Sequence, residues 1–305
     1  MDIRKISIVG RGAMGIMYGQ FFSQRLPEGS VRFIADESRV ESYLRSPVTC
    51  NGKPCHFSYL PYSADAEPAD LVIFAVKFKD LETVIHQIGN HIGKNTVILS
   101  LLNGLTSEDI LSRAFGNDRV LLCTAQGMDA VKKGNHMTYS FLGTLSIGTC
   151  DGKSSDFFTA LCSFFDSVGL PYDTPSDMKK RLWEKLVLNT GVNQAAAVFR
   201  TDYRGLKQNG RPREVMIEAM REAIAAGRAE GIELDDQLVP RWLALIDSLD
   251  RDGKPSLCQD LEAGRPTEVE LFSGTIRRLG KAHGISTPAN DFLYDNIKKM
   301  EQGGN

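Results

Sequence analysis

A glycine-rich hexapeptide, Gly10-Arg11-Gly12-Ala13-Met14-Gly15, follows the apolar run Ile6-Ser7-Ile8-Val9 and leads into another apolar stretch. Between a strand and a helix, each glycine has a physical task. The first permits a tight turn, the second lets the backbone approach a bound pyrophosphate, and the third lets the helix pack close to the strand. The start of the helix adds N–H donors and the positive end of its dipole, both suited to an anion. The feature implies an α/β domain holding a dinucleotide at residues 10–15. A glycine-rich turn with no ligand is the alternative reading of the same residues.

The residues that follow fit such a domain. Segments 31–35, 70–77 and 96–102 are apolar and β-branched, as strands buried on both faces of a parallel sheet must be. Helical patterns lie between them, at 79–91 for example, and this alternation predicts a sheet wound with helices. Segments 119–127 and 138–148 read as strands around a Lys-Lys-Gly-Asn turn, which would give the sheet antiparallel members. A helix at 156–167 and a strand at 170–172 complete the half. Beyond Pro175 the strand signals stop. Helices are expected at 178–199, 211–230, 236–249, 267–283 and 290–301, with Gly231 and Gly284 just past two helix ends. The organisation predicted is a dinucleotide-binding domain of Rossmann type at 1–175 and an all-α domain at 176–305.

Composition narrows the partners. The 305 residues carry 36 basic and 38 acidic side chains, a net charge of −2, which gives no basic excess for nucleic acid or an anionic membrane. No stretch approaches the ~20 apolar residues of a membrane span, and the apolar run before Gly10 is too short for a secretion signal. Six cysteines, at 50, 55, 123, 150, 162 and 258, form no Cys-X-X-Cys and no metal spacing with histidine. They are read as free thiols of a cytoplasmic protein, and no metal is expected.

Two further groups of residues carry chemistry. Asp36 ends the second strand about 20 residues beyond the glycines, where a carboxylate would bond the ribose 2′-hydroxyl of NAD and repel a 2′-phosphate. Arg39 lies three residues on, and Asp36 serves equally as the N-cap of a helix, so this stretch leaves the choice of cofactor open. In the helix at 178–199, Lys185, Asn189 and Asn193 recur every four residues. Each is displaced only ~40° around the axis from the last, so the three form one polar line on an otherwise apolar segment. Asparagine is a poor helix former, which favours a site over a solvated face. A lysine ammonium there could protonate a ketone oxygen as hydride arrives. Thr267 and Glu270 match a capping box, which leaves Glu268 only weakly explained as a first-turn acid.

Taken together, these residues make the chain resemble the ketopantoate reductase family over nearly its whole length. The resemblance runs through IVGRGAMG, Ala75-Val76-Lys77, LLNG at 101–104, WEKLVLNTGVN at 183–193, SLCQDLEAGRPTEVE at 256–270 and AHGISTP at 282–288. It implies a Rossmann-type domain plus an all-α C-terminal domain of the 6-phosphogluconate dehydrogenase-like type. It also implies reduction of a 2-oxo acid, ketopantoate, by NADPH, on the way to pantothenate and coenzyme A. Lys185 would then be the general acid at C2 and Glu268 would hold the terminal hydroxyl. Asn189, Asn193 and Ser256 would bind substrate, while Lys77 and Asn103 would sit by the nicotinamide and ribose. A homodimer through the helical half is a further implication, although the chain shows no heptad seam. Asp36 departs from the family, whose NADPH-specific members carry a basic residue there. Either Arg39 takes the 2′-phosphate, or NAD is used, which favours a D-2-hydroxyacid dehydrogenase for other branched 2-oxo acids. A cofactor-sensing regulator is the non-enzymatic alternative, and it has no need of the lysine–asparagine line.

Overall fold

The computed structural model describes residues 1–249 and 253–303. These divide into two compact units. The first comprises Met1–Leu102 and Thr106–Met178, and the second Asn103–Leu105 and Lys179–Asn305. Three residues of the segment read as lying in the N-terminal domain thus group with the helical unit.

The first unit opens with β1 (Ile6–Val9), α1 (Ala13–Ser23), β2 (Val31–Ala35) and α2 (Glu37–Arg45). The short strands β3 (Thr49–Cys50) and β4 (Lys53–Pro54) lead to β5 (Ser58–Pro61), β6 (Ala69–Phe74) and α3 (Phe78–Gln87). Then come β7 (Ile92–Ser100), α4 (Ser107–Phe115), β8 (Val120–Gln126), β9 (Val131–Lys133), β10 (His136–Thr138), β11 (Thr144–Gly148), α5 (Asp156–Val168) and β12 (Tyr172–Asp173). The main sheet runs β12-β11-β8-β7-β6-β1-β2-β5. From β5 to β8 its neighbours are parallel, and β11 pairs antiparallel with β8, as the sequence leads one to expect.

The burial pattern explains why these strands read as unbroken apolar runs. All four residues of β1 and the last four of β6 are buried. One apolar layer, with Ile8, Phe22, Phe33 and Phe165, covers one side of the sheet. A second, with Val9, Ile34, Phe74 and Leu111, covers the other. Strand order reverses at β1, which lies between β2 and β6, so connections leave it in opposite directions and open a crevice at its C-terminal end. The strands β4, β3, β10 and β9 form a separate four-stranded sheet. The expected 138–148 strand is therefore two strands in two sheets, broken at 139–143.

The second unit contains α6 (Met178–Val198) apart from its first residue, α7 (Tyr203–Lys207), α8 (Arg211–Ala229), α9 (Leu238–Ser248), α10 (Ser256–Glu262), α11 (Thr275–His283) and α12 (Pro288–Glu301). Its α8 presents Val215, Met216, Ala219, Met220, Ala223 and Ile224 to the interior, the spacing of a helix with one apolar face. Gly231 and Gly284 have φ of +81° and +68°, the left-handed values expected after a helix. One expectation fails. No helix spans 267–283, because residues 265–269 are irregular and Glu270–Gly274 forms a π-helical turn that runs into α11. Among the described residues no helix is long and apolar enough to cross a membrane.

Candidate active site

The glycine turn is built against the end of β6. Gly10 has φ of +105°, and a Cβ on it would lie 2.4 Å from the Ala75 carbonyl oxygen. A Cβ on Gly15 would lie 2.0 Å from the Gly10 carbonyl oxygen, so the turn and the first turn of α1 are closed upon each other. Gly12 differs, since its Cβ would meet only the Ala75 oxygen, at 3.8 Å. Gly12 is also the N-cap of α1. No side chain caps that helix end and no acid occupies its first turn. An open approach to uncapped N–H donors fits a pyrophosphate. Ala13 and Met14 continue into the helix and pack partly on the core.

Arg11 turns towards α2. Its guanidinium donates to the carbonyls of Tyr43 and Ser46 at 3.1 and 3.0 Å and lies 3.9 Å from the centre of the Tyr43 ring. At the end of β2, Asp36 caps α2. Its Oδ1 accepts from the Ser38 hydroxyl at 2.7 Å and from the Arg39 N–H at 2.8 Å, while Oδ2 lies 3.4 Å from Arg39 Nε. Burial pulls its pKa upward, but the bonds from Ser38 and Arg39 and the Arg39 charge outweigh it and hold the carboxyl below its usual range. The capping role expected for Asp36 is present, and the second oxygen stays clear of the cap. Lys77, half-buried, is the N-cap residue of α3 just past the end of β6.

In the second unit α6 places Lys185 and Asn189 half-buried and Asn193 buried, 8% exposed. Buried Leu182, Trp183, Leu186 and Val187 flank Lys185 and Asn189, so the polar line passes from half-buried at Lys185 and Asn189 to buried at Asn193 along a largely apolar helix. Asn103 Nδ2 donates to Glu268 Oε2 at 2.8 Å, which brings together two residues 165 apart. Glu268 lies half-buried in the irregular stretch before the π turn. The capping box does not form. Thr267 is bonded to Glu301, through both its N–H and its hydroxyl at 2.7 Å, and Glu270 accepts from the Tyr294 hydroxyl at 2.7 Å. Ser256 is exposed, the first residue of α10, a helix whose Asp260 pairs with Arg265 at 2.9 Å.

Two residues overlooked in the sequence support these groups. Gln194, fully buried, accepts from the Ser273 N–H at 3.2 Å and donates to the Thr190 carbonyl at 2.6 Å. Glu108, also buried, accepts from the Ser107 hydroxyl at 2.7 Å beside the loop that carries Asn103. A glutamine inside the run Val192 to Val198, otherwise apolar but for Asn193, was the available signal for the first.

Comparison with known proteins shows what the chain as a whole is similar to. Residues 6–152 match the family model described as ketopantoate reductase PanE/ApbA, and 177–301 match its C-terminal counterpart. The chain is 27% identical to the 2-dehydropantoate 2-reductase of Archaeoglobus fulgidus over 99% of this chain and 100% of that one. Among solved structures, a PanE/ApbA family ketopantoate reductase from Ralstonia eutropha JMP134 superposes with a TM-score of 0.83. It is 26% identical, with 98% of this chain and 99% of that chain covered. D-mandelate dehydrogenase in complex with NADH shares the fold, with a TM-score of 0.86, 23% identity and coverage of 99% and 100%. So does a dimeric ketopantoate reductase from Staphylococcus aureus, with a TM-score of 0.77, 22% identity and coverage of 99% and 100%.

Proposed function

This chain belongs to the ketopantoate reductase family, and from that premise we propose that it reduces the C2 ketone of 2-dehydropantoate to the alcohol of pantoate, a step toward pantothenate and coenzyme A. The observation that carries the reading is the line of Lys185, Asn189 and Asn193 on one helix face, half-buried at the first two and buried at the third. A half-buried ammonium in line with two amides suits a reaction in which an oxygen gains negative charge and then a proton.

A bound nicotinamide supplies the hydride that adds to C2. Lys185 donates a proton to the ketone oxygen and stabilises the charge that develops there. Asn189 and Asn193 present amide donors and acceptors that orient the substrate oxygens, and Ser256 meets its polar groups. Glu268, steadied by Asn103, accepts from the substrate's terminal hydroxyl. Gly10 to Gly15 cradle the pyrophosphate, and Lys77 and Asn103 serve the nicotinamide and ribose.

For the cofactor we propose NADPH. The Asp36 charge is already compensated by Arg39, and Arg39 and Arg11 supply cations on that flank. One observation favours a second reading, an NADH-dependent reductase of other branched 2-oxo acids. Asp36 Oδ2, clear of the helix cap, is an acceptor suited to ribose hydroxyls. We also propose a cytoplasmic homodimer, the assembly supported by the dimeric neighbour and checked by sedimentation.

The test is an assay of ketopantoate and 2-oxoisovalerate with each cofactor. The proposal expects the highest kcat/KM for NADPH with ketopantoate. Higher values for NADH with 2-oxoisovalerate would replace it by the second reading, and dinucleotide binding with no turnover of either acid would point to a sensor. Lys185→Ala is expected to lower kcat on the order of 10²–10⁴-fold with dinucleotide affinity retained.

A further inference from the structure

We infer that Gln194 is a positioning residue, one that sets Glu268 for the substrate by holding the π turn at Glu270–Gly274. The inference rests on the role proposed for Glu268 and concerns how that role is built.

In an α-helix the Ser273 N–H would bond the Val269 carbonyl, four residues back. Here the Val269 carbonyl accepts instead from Phe272 at 3.2 Å and from Gly274 at 3.0 Å, and it skips Ser273. The Ser273 N–H goes to Gln194 Oε1 at 3.2 Å. A side chain from α6 has replaced a backbone acceptor, and that replacement lets the helix carry one residue more than an α turn holds. One added residue rotates everything before it by roughly 100° relative to α11. Glu268 and Leu271 therefore face where α11 alone would not aim them. Glu268 meets the Asn103 amide at 2.8 Å, and Leu271 packs over Gly104, where a Cβ would lie 3.4 Å from its own.

Gln194 itself has little freedom. It is fully buried, and its Nε2 is held by the Thr190 carbonyl, so Oε1 can point only towards the turn. Ser273 is anchored from its other side, its hydroxyl donating to Asn290 Oδ1 at 2.9 Å. Asn290 Nδ2 in turn donates to Glu222 at 2.7 Å. These groups lie within the fold, where an unpaired N–H is costly, so the extra residue persists only while Gln194 accepts from it.

The test compares Gln194→Met, Glu268→Gln and the double variant, reading KM for the 2-oxo acid, kcat and dinucleotide affinity. Methionine keeps the length and helix propensity of glutamine and removes the acceptor. Each single variant is expected to raise KM for the 2-oxo acid at least about tenfold with dinucleotide affinity unchanged. The double variant is expected to be no worse than the poorer single one, because both changes remove the same contact. An unchanged KM in Gln194→Met beside an impaired Glu268→Gln overturns the inference alone, as does a double variant whose loss is the product of the two. An unimpaired Glu268→Gln removes the premise, and the inference with it. Should Gln194→Met not fold, exchange of the Ser273 amide in the unmodified protein decides. Protection comparable to that of the α8 core amides supports the inference, and fast exchange overturns it.

Discussion

Gly12 and Gly15 are three residues apart in one turn, yet the physical demands on them are opposite. A methyl group on Gly15 would collide with backbone, the Gly10 carbonyl oxygen at 2.0 Å, and backbone on both sides of that contact is fixed by β1 and α1. A methyl group on Gly12 would meet only the Ala75 carbonyl oxygen, at an ordinary contact distance of 3.8 Å, and its φ of −79° and ψ of −172° suit any residue. Gly15→Ala is therefore expected to lower the unfolding free energy by about 1–3 kcal/mol, as overpacking does. Gly12→Ala is expected to leave stability within about 0.5 kcal/mol and to weaken dinucleotide binding, because the methyl occupies the approach to the helix donors. Urea midpoints and a dinucleotide titration check both. A Gly12→Ala variant that binds the dinucleotide as the unmodified chain does would remove the ligand from this turn.

At the scale of elements, the loop between β7 and α4 is set by a buried chain of hydroxyls. The Leu102 N–H donates to Ser100 Oγ at 3.2 Å, Ser100 Oγ to Ser107 Oγ at 2.8 Å, and Ser107 Oγ to Glu108 Oε2. Burial pushes the Glu108 carboxyl up from 4.5 to about 7, against the smaller opposing pull of the Ser107 bond. Its other oxygen is buried with no hydrogen-bond partner, which a neutral acid tolerates better than a carboxylate. Between those two values the folded chain keeps a proton that the unfolded chain has released. The contribution of this group to stability is therefore full below about pH 4.5, falls as pH rises to about 7, and levels above it. Glu108→Gln removes this loss. Relative to the unmodified chain its unfolding free energy is expected to climb over that window, by on the order of 3 kcal/mol in all. Urea unfolding from pH 5 to 8 measures it, and a difference independent of pH would show that Glu108 does not titrate there. None of this was legible in the sequence, where Glu108 is one acid in a polar first turn. The strands of the main sheet were legible because both their faces are buried, and so was the lysine–asparagine line, because it repeats with the helix period. Strands of two or three residues, such as β3 and β9, carry too short a pattern to read. The supposed capping box failed because Thr267 and Glu270 found distant partners in Glu301 and Tyr294. Gln194 was missed for the same reason, since its partner lies 79 residues away.

At the scale of the whole molecule, each unit has its own core, and the residues proposed to hold the cofactor cluster in one of them. Those at Gly10 to Gly15, Asp36, Arg39 and Lys77 belong to the first unit, whereas Lys185, Asn189, Asn193, Ser256 and Glu268 belong to the second. Asn103 is the exception, a residue proposed to serve substrate and cofactor that chain order puts between β7 and α4 and that groups with the helices. A ligand that binds only the folded first unit stabilises it by mass action, by about 2.7 kcal/mol at a hundredfold excess over Kd. Amides whose exchange requires opening of that unit should then slow by roughly a hundredfold. With either dinucleotide at that excess, slowing is expected across β1, α1 and β6, whose turn and crevice are proposed to hold the ligand. The amides of α8 and α9 rest on a different core and contribute no proposed ligand residue, so their exchange is expected to stay within about threefold. Hydrogen exchange followed by mass spectrometry on peptides from 6–23, 69–74, 211–229 and 238–248 makes the comparison. Equal slowing in all four would mean that the two units open as one, and that the cofactor's stabilisation is shared by the unit whose α6 carries the proposed proton donor.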